Sequence, residues 1–119
     1  MNIGNVMQRI KKHPDFDKVG MILCHNGVVR ATSRDGRKVS GLRVSVDHEK
    51  LERIISEQKR SPGIIDIQVE IAENRDLEVG DDVMILVVAG DIRENVIAVL
   101  TETLNSIKSS VTDKIEYYK

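Results

Sequence analysis

The stretch from Val83 to Ala89 constrains this 119-residue chain more than any other. Val83, Met84, Ile85, Leu86, Val87 and Val88 follow one another without a polar interruption, between the turn residues Gly80-Asp81-Asp82 and Gly90-Asp91. A short apolar run with no polar face is a central strand buried on both sides. The rest of the chain has to cover it.

The hydrophobic pattern supplies the covering elements. Ile3, Val6, Met7 and Ile10 recur at i, i+3, i+4 and i+7, the stripe of a short amphipathic helix. His13-Pro14-Asp15 ends that helix, because proline cannot continue it and restrains the residue before it. Gly20 to Val29 is apolar and β-prone. Arg34-Asp35-Gly36-Arg37 carries an Asp-Gly turn signal, and Val39 to Val46 alternates with Leu42, Val44 and Val46 on one face. These two strands are predicted to pair as a hairpin. Asp47 is a good N-cap for a helix bearing Leu51, Ile54 and Ile55 and reaching about Lys59, where Ser61-Pro62-Gly63 stops it. Ile64 to Ala72 is a third strand, with Ile65, Ile67, Val69 and Ile71 alternating. Glu73 to Asp82 is polar and closes in a turn. The longest helix is predicted from about Ile92 to Ser109, with Val96, Leu100, Leu104, Ile107 and Val111 as its stripe. Asp113 to Lys119 reads as a short charged tail. The order helix, strand, strand, helix, strand, strand, helix predicts one domain over residues 1–119. Its class is α+β, a mixed or antiparallel sheet with flanking helices, rather than a doubly wound parallel sheet.

Composition removes several function classes. Eighteen basic and 19 acidic residues leave a formal charge of −1, which argues against a general nucleic-acid binder. No apolar run approaches the roughly 20 residues of a membrane span, and the N-terminus lacks the order of a signal peptide. A single cysteine, Cys24, allows no internal disulfide, so a cytoplasmic location is expected. Aromatics make up 3% of the chain, which leaves few stacking platforms for bases.

Cys24 and His25 are neighbours, but adjacent strand residues point to opposite faces. Cys24 therefore reads as a small buried apolar residue. His13, His25 and His48 are scattered without metal-ligand spacing, so neither a metal nor a cofactor is expected. What remains is cationic. Arg30 follows a buried strand and precedes the Ser33–Arg37 loop. Arg93 sits in the first turn of the long helix, against the helix dipole. Either it pairs with Asp91 or Glu94, or it holds an anion together with the free N–H groups there. Lys108 is near the helix C-terminus, where a cation is favoured in any case. On residue type alone it is a helix-end lysine. Arg93 and Lys108 are fifteen residues apart, about 22 Å along a helix of 1.5 Å rise. They cannot clamp one phosphate from a single helix, so a shared ligand is extended or a second subunit supplies one of them.

The ordered motifs resemble a known family. Gly27-Val28-Val29-Arg30 is similar to its Gly-x-Val-Arg element after a Gly-led strand, and Gly36-Arg37-Lys38-Val39 to its turn exit. Leu77, Gly80, Asp81, Arg93 and Lys108 fall where the family has Leu-x-x-Gly-Asp/Glu, a helix-start arginine and a helix-end lysine. Over residues 13–111 the chain resembles the large, catalytic subunit of molybdopterin synthase, the MoaE type. That resemblance implies an α/β-hammerhead-like fold and a homodimer, or a heterotetramer once small subunits join. The implied partner is a ubiquitin-like small subunit of the MoaD type. Its C-terminal Gly-Gly thiocarboxylate gives sulfur to cyclic pyranopterin monophosphate, making the dithiolene of molybdopterin in molybdenum cofactor biosynthesis. By position, Lys108 matches the catalytic lysine near the partner's acyl group, Arg30 a pocket arginine and Arg93 an anion-binding arginine. Lys114 matches the family's second lysine with a one-residue shift. The chain departs from the pattern where Ile92 replaces a histidine, where Val111–Lys114 replaces Pro-x-Trp-Lys, and where Glu70–Glu73 replaces His-Arg-x-Gly. Those departures raise one alternative, a non-catalytic module on the same fold that binds a ubiquitin-like partner or a pterin.

Overall fold

Two three-stranded antiparallel sheets and three helices make up the computed structural model, which describes residues 1–119. In chain order the elements are α1 (Ile3–Lys11), a 3-10 turn (Phe16–Lys18), β1 (Met21–Val28), β2 (Val39–Val46) and α2 (His48–Lys59). They continue with β3 (Ile64–Ile71), β4 (Asp76–Glu78), β5 (Asp82–Gly90), α3 (Arg93–Ser106), a π-helical turn (Ile107–Val111) and β6 (Thr112–Tyr118). No helix is long and apolar enough to cross a membrane.

The apolar run is the centre, as expected. β5 lies between β1 and β3, and its side chains divide between two layers with the period of two that a strand imposes. Met84, Leu86 and Val88 join Val96, Val99 and Ile107 in the larger core, with α2 contributing Leu51, Ile54 and Ile55 at its margin. Ile85, Val87 and Ala89 face the other way, against Val6 and Ile10 of α1. Leu86, Val87, Val88 and Ala89 are fully buried.

The second sheet runs β4-β2-β6 over a third core of Val29, Leu42, Val44, Ala72 and Leu77. Here three expectations are corrected. β1 and β2 do not form a hairpin: β1 pairs with β5, and β2 with β4 and β6. The Asp-Gly turn does form, with Gly36 at φ +87 and a lone Thr32–Lys38 bridge. But β1, apolar on both sides, belongs in the inner sheet, while alternating β2 belongs in a sheet with one wet face. A register shift between Gly27 and Val28 takes the chain from one layer to the other. The segment expected to be only polar contains β4. The charged tail is β6, paired with β2 from Thr112 opposite Val46 to Tyr118 opposite Val39. Both tail tyrosines anchor it: the Tyr117 hydroxyl donates to Asp76 Oδ1 at 2.7 Å, and the Arg37 guanidinium stacks 3.5 Å from the Tyr118 ring centre.

Gly41 is what lets the second sheet close. A Cβ there would sit 2.3 Å from the Leu77 carbonyl oxygen of β4. Asp47 joins β2 to α2: its side chain accepts from the Lys50 N–H at 3.2 Å, and its own N–H donates to the Val111 carbonyl at 2.9 Å. Losing that cap in Asp47→Ala is expected to cost about 1 kcal/mol, read as a fall in the thermal midpoint. Glu49→Ala, which removes no cap, should be close to neutral.

Candidate functional site

Between the two sheets lies a groove of about 690 Å³. Its floor is apolar, with Val44 from β2, Ile71 from β3 and Met84 from β5. Its walls are basic. Arg30 and Arg34 come from the segment after β1, Lys108 from the π-helical turn and Lys114 from β6. Glu116 is the one acidic side chain in the lining, and it lies 3.6 Å from Lys114 Nζ. Four cations against one carboxylate make a site for an anion.

The end of α3 explains how Lys108 comes to face the groove. The last carbonyls of a helix need donors, and a terminal lysine commonly supplies them. Here serine and threonine hydroxyls do so. Ser110 Oγ donates to the Ser106 carbonyl at 2.8 Å, Ser109 Oγ to the same oxygen at 3.3 Å, and Thr112 Oγ1 to the Ile107 carbonyl at 3.4 Å. The wider turn keeps both Ile107 and Val111 in the core, and such π-turns recur at functional sites. Lys108 is in no ion pair and caps nothing, so its ammonium is left to the groove. Arg30 is similarly uncommitted. Its Nε donates to the Thr32 carbonyl at 2.8 Å, which fixes the guanidinium plane, and no carboxylate pairs with it.

Arg93 is elsewhere. It stands at the opposite end of α3 from Lys108 and does not line the groove. Of the two sequence readings, the ion pair is present: Arg93 Nε lies 3.2 Å from Glu94 Oε1, both side chains exposed. Asp91 is engaged otherwise. Its carboxylate accepts from the Asn95 side chain at 2.9 Å and from the Ile92 N–H at 2.7 Å, and those bonds hold it below the usual carboxylate range. One chain therefore brings Arg30, Lys108 and Lys114 together and leaves Arg93 apart.

Residue reading missed His25. Its ring lines the groove, and its Nε2 is buried with no hydrogen-bond partner. Burial, and then the charge of Lys108, hold the imidazole below its ordinary value of 6.5. Cys24, on the other face, packs with the α1 core, and burial pushes its thiol up. The two do not form a dyad. The available signal was strand parity: Met21, Leu23, His25 and Gly27 share one face, and a histidine among apolar side chains on an inward face is out of place.

A family model described as MoaE protein matches residues 1–110. Among solved structures, molybdopterin cofactor biosynthesis protein E from Burkholderia multivorans superposes with a TM-score of 0.78 at 18% identity, covering 100% of this chain and 86% of that one. Molybdopterin synthase from Staphylococcus aureus gives 0.74 at 21% identity, over 87% of this chain and 77% of that one. A chain in the complex of subunits 1 and 2 of molybdopterin-converting factor from Helicobacter pylori gives 0.72 at 15% identity, over 99% and 84%. No curated protein sequence matches. At these identities the structural likeness establishes the fold, an α+β arrangement of antiparallel sheets and flanking helices.

Proposed function

The chain belongs to the MoaE family, and from that premise we propose that it is the large subunit of a molybdopterin synthase. In this reading it moves sulfur from the thiocarboxylate of a MoaD-like small subunit to cyclic pyranopterin monophosphate. The complex from Helicobacter pylori is a pairing of two such subunits, which supports a small-subunit partner here. The observation that carries the reading is the groove itself, four cations over an apolar floor with one carboxylate between them.

The chemistry needs such a groove. The partner's thiocarboxylate and the substrate's phosphate are both anions, and a Gly-Gly tail is slender enough to enter between two sheets. When the acyl carbon is attacked, negative charge grows on its oxygen. A preplaced cation, once the inserted tail has displaced water from the groove, stabilises that charge without having to reorganise. Lys108, free of any other partner, takes that role. Lys114, held by Glu116 at 3.6 Å, lines the same groove as the second lysine. Arg30, its plane fixed by Thr32, grips a phosphate or carboxylate oxygen pair. Arg93 serves a groove only if a second copy brings it there, so a homodimer is part of the proposal.

The test is a single-turnover reaction. Purified protein is mixed with a thiocarboxylated small subunit and cyclic pyranopterin monophosphate, and the dithiolene is followed by mass spectrometry. Product is expected. A small subunit that binds without any product would overturn the synthase reading and leave a docking module on the same fold.

A further inference from the structure

On β1, Met21 and Leu23 pack against the same core as Leu100 and Leu104 of α3. Two residues further along the same face the side chain is an imidazole. In the register His25 is opposite Leu86, a position where a hydrocarbon would satisfy packing. Its ring instead leans along the strand over Gly27, where an added Cβ would sit 3.2 Å from Nε2. That nitrogen is out of water and has no partner. A buried polar atom with no partner is costly and calls for a cause. A second observation supplies one: the ring forms part of the wall of the cationic groove, beside Lys108.

We propose that His25 is a further contact for the anionic ligand of this groove, and that it takes up a proton as that ligand binds. The proposal rests on the reading above, that the ligand is a carboxylate-type tail or a phosphate ester.

The charges around His25 decide the direction. α3, packed across this face of β1, carries Arg93, Glu94 and Glu102, and the turn after it carries Lys108. Arg30, Arg34, Lys114 and Glu116 line the remaining walls. Of these, Lys108 is the charge that acts on the imidazole. In the empty groove a protonated His25 would lie beside that ammonium with no counter-charge, so the neutral ring is favoured. An anion between them reverses the balance, since a nearby opposite charge favours the protonated form. Linkage makes the effect reciprocal: whatever factor the ligand adds to the proton affinity of His25, the proton adds to the affinity for ligand. Affinity then rises as pH falls through the imidazole range.

Sulfate is the probe, because its charge does not change between pH 5 and pH 8. The His25 ring Cε1–H resonance is followed by NMR through a pH titration, with and without saturating sodium sulfate, at matched ionic strength. Sulfate should raise the titration midpoint by half a unit or more. Sulfate affinity, read on the Lys108 and Arg30 signals, should tighten by about threefold or more from pH 7.5 to pH 5.5. His25→Phe, which keeps ring volume, should bind sulfate with affinity nearly flat in pH. His25→Gln serves if that variant does not fold. A midpoint that sulfate leaves in place while Arg30 and Lys108 respond overturns the proposal. So does sulfate that perturbs none of these signals, or a pH dependence that survives in the variant. Dithiolene formed without proton linkage would sink this inference and spare the synthase. Linkage without dithiolene would support this inference and sink the synthase.

Discussion

Lys108→Ala is expected to slow dithiolene formation by about 100- to 1,000-fold, the scale set by removing one donor that stabilises a developing oxyanion. The thermal midpoint should barely move. Lys108 is exposed and in no ion pair, and the carbonyls at the end of α3 receive their hydrogen bonds from Ser109, Ser110 and Thr112. Truncating it removes charge from the groove without uncapping the helix. Lys108→Arg keeps the charge but replaces a compact ammonium with a broad planar fork. It should retain ligand binding better than it retains rate. The measurement is the single-turnover rate beside a melting curve for each variant. An unchanged rate in Lys108→Ala would remove Lys108 from the chemistry. A lost rate with a lost fold would make it structural. Arg93 offers a companion test. If it reaches the groove of a second copy, mixing Arg93→Ala protein with Lys108→Ala protein should restore part of the rate, because a hybrid pair contains one groove with both residues intact. No recovery on mixing would leave Arg93 outside the reaction.

How far the sequence led depends on which physical signal each element carries. β5 was legible because a run without polar residues has few alternatives to a buried strand. α1 and α2 were legible from periodicity and from the Asp47 cap. Pairing was not. Asp35-Gly36 is a real turn signal, and it does make a turn, but a turn says only that the chain reverses. Whether β1 and β2 then pair depends on which faces each must bury, and that differs between them. β6 was invisible because it has no buried stripe; its residues are mostly exposed, and what holds it is backbone pairing to β2 and two tyrosine contacts. At the site, the family resemblance marked Arg30, Lys108 and Lys114, three residues that the fold gathers into one groove. Their residue types alone did not mark them. A lysine at a helix end has an ordinary use, and only the hydroxyls that take over that use leave Lys108 free. The π-turn left no trace in the pattern either, since Ile107 and Val111, four apart, continue an α-helical stripe. His25 has no signal in its sequence neighbour Cys24, which points to the other face; its neighbours in space are Gly27 on the same face and Lys108, which shares the lining of the groove.

Leu86→Ala should be the most damaging single truncation outside the groove. Leu86 is fully buried at the middle of β5, opposite His25 on one side and Val69 on the other, in the core shared with α3. A cavity there touches two strand pairs and a helix, so little can collapse to fill it. The expected loss is about 2–5 kcal/mol, a large share of the roughly 5–15 kcal/mol that keeps a domain folded. At about 4 °C per kcal/mol for a chain of this size, the thermal midpoint should fall by roughly 8–20 °C. The denaturant midpoint should fall with it while the slope stays constant, the mark of lost stability rather than altered compactness. Leu86→Met, close in volume, should cost less than about 1.5 kcal/mol, and Ile97→Ala on the exposed side of α3 under about 0.5 kcal/mol. A loss below 1 kcal/mol in Leu86→Ala would mean that the helical layer settles onto the vacancy, and that β5 is less tightly clasped than its burial implies. The groove gives an independent check. Its floor uses Met84, two residues away, and not Leu86. Each molecule of Leu86→Ala that remains folded should therefore transfer sulfur at close to the normal rate, separating the strand that builds the protein from the side chains that line its site.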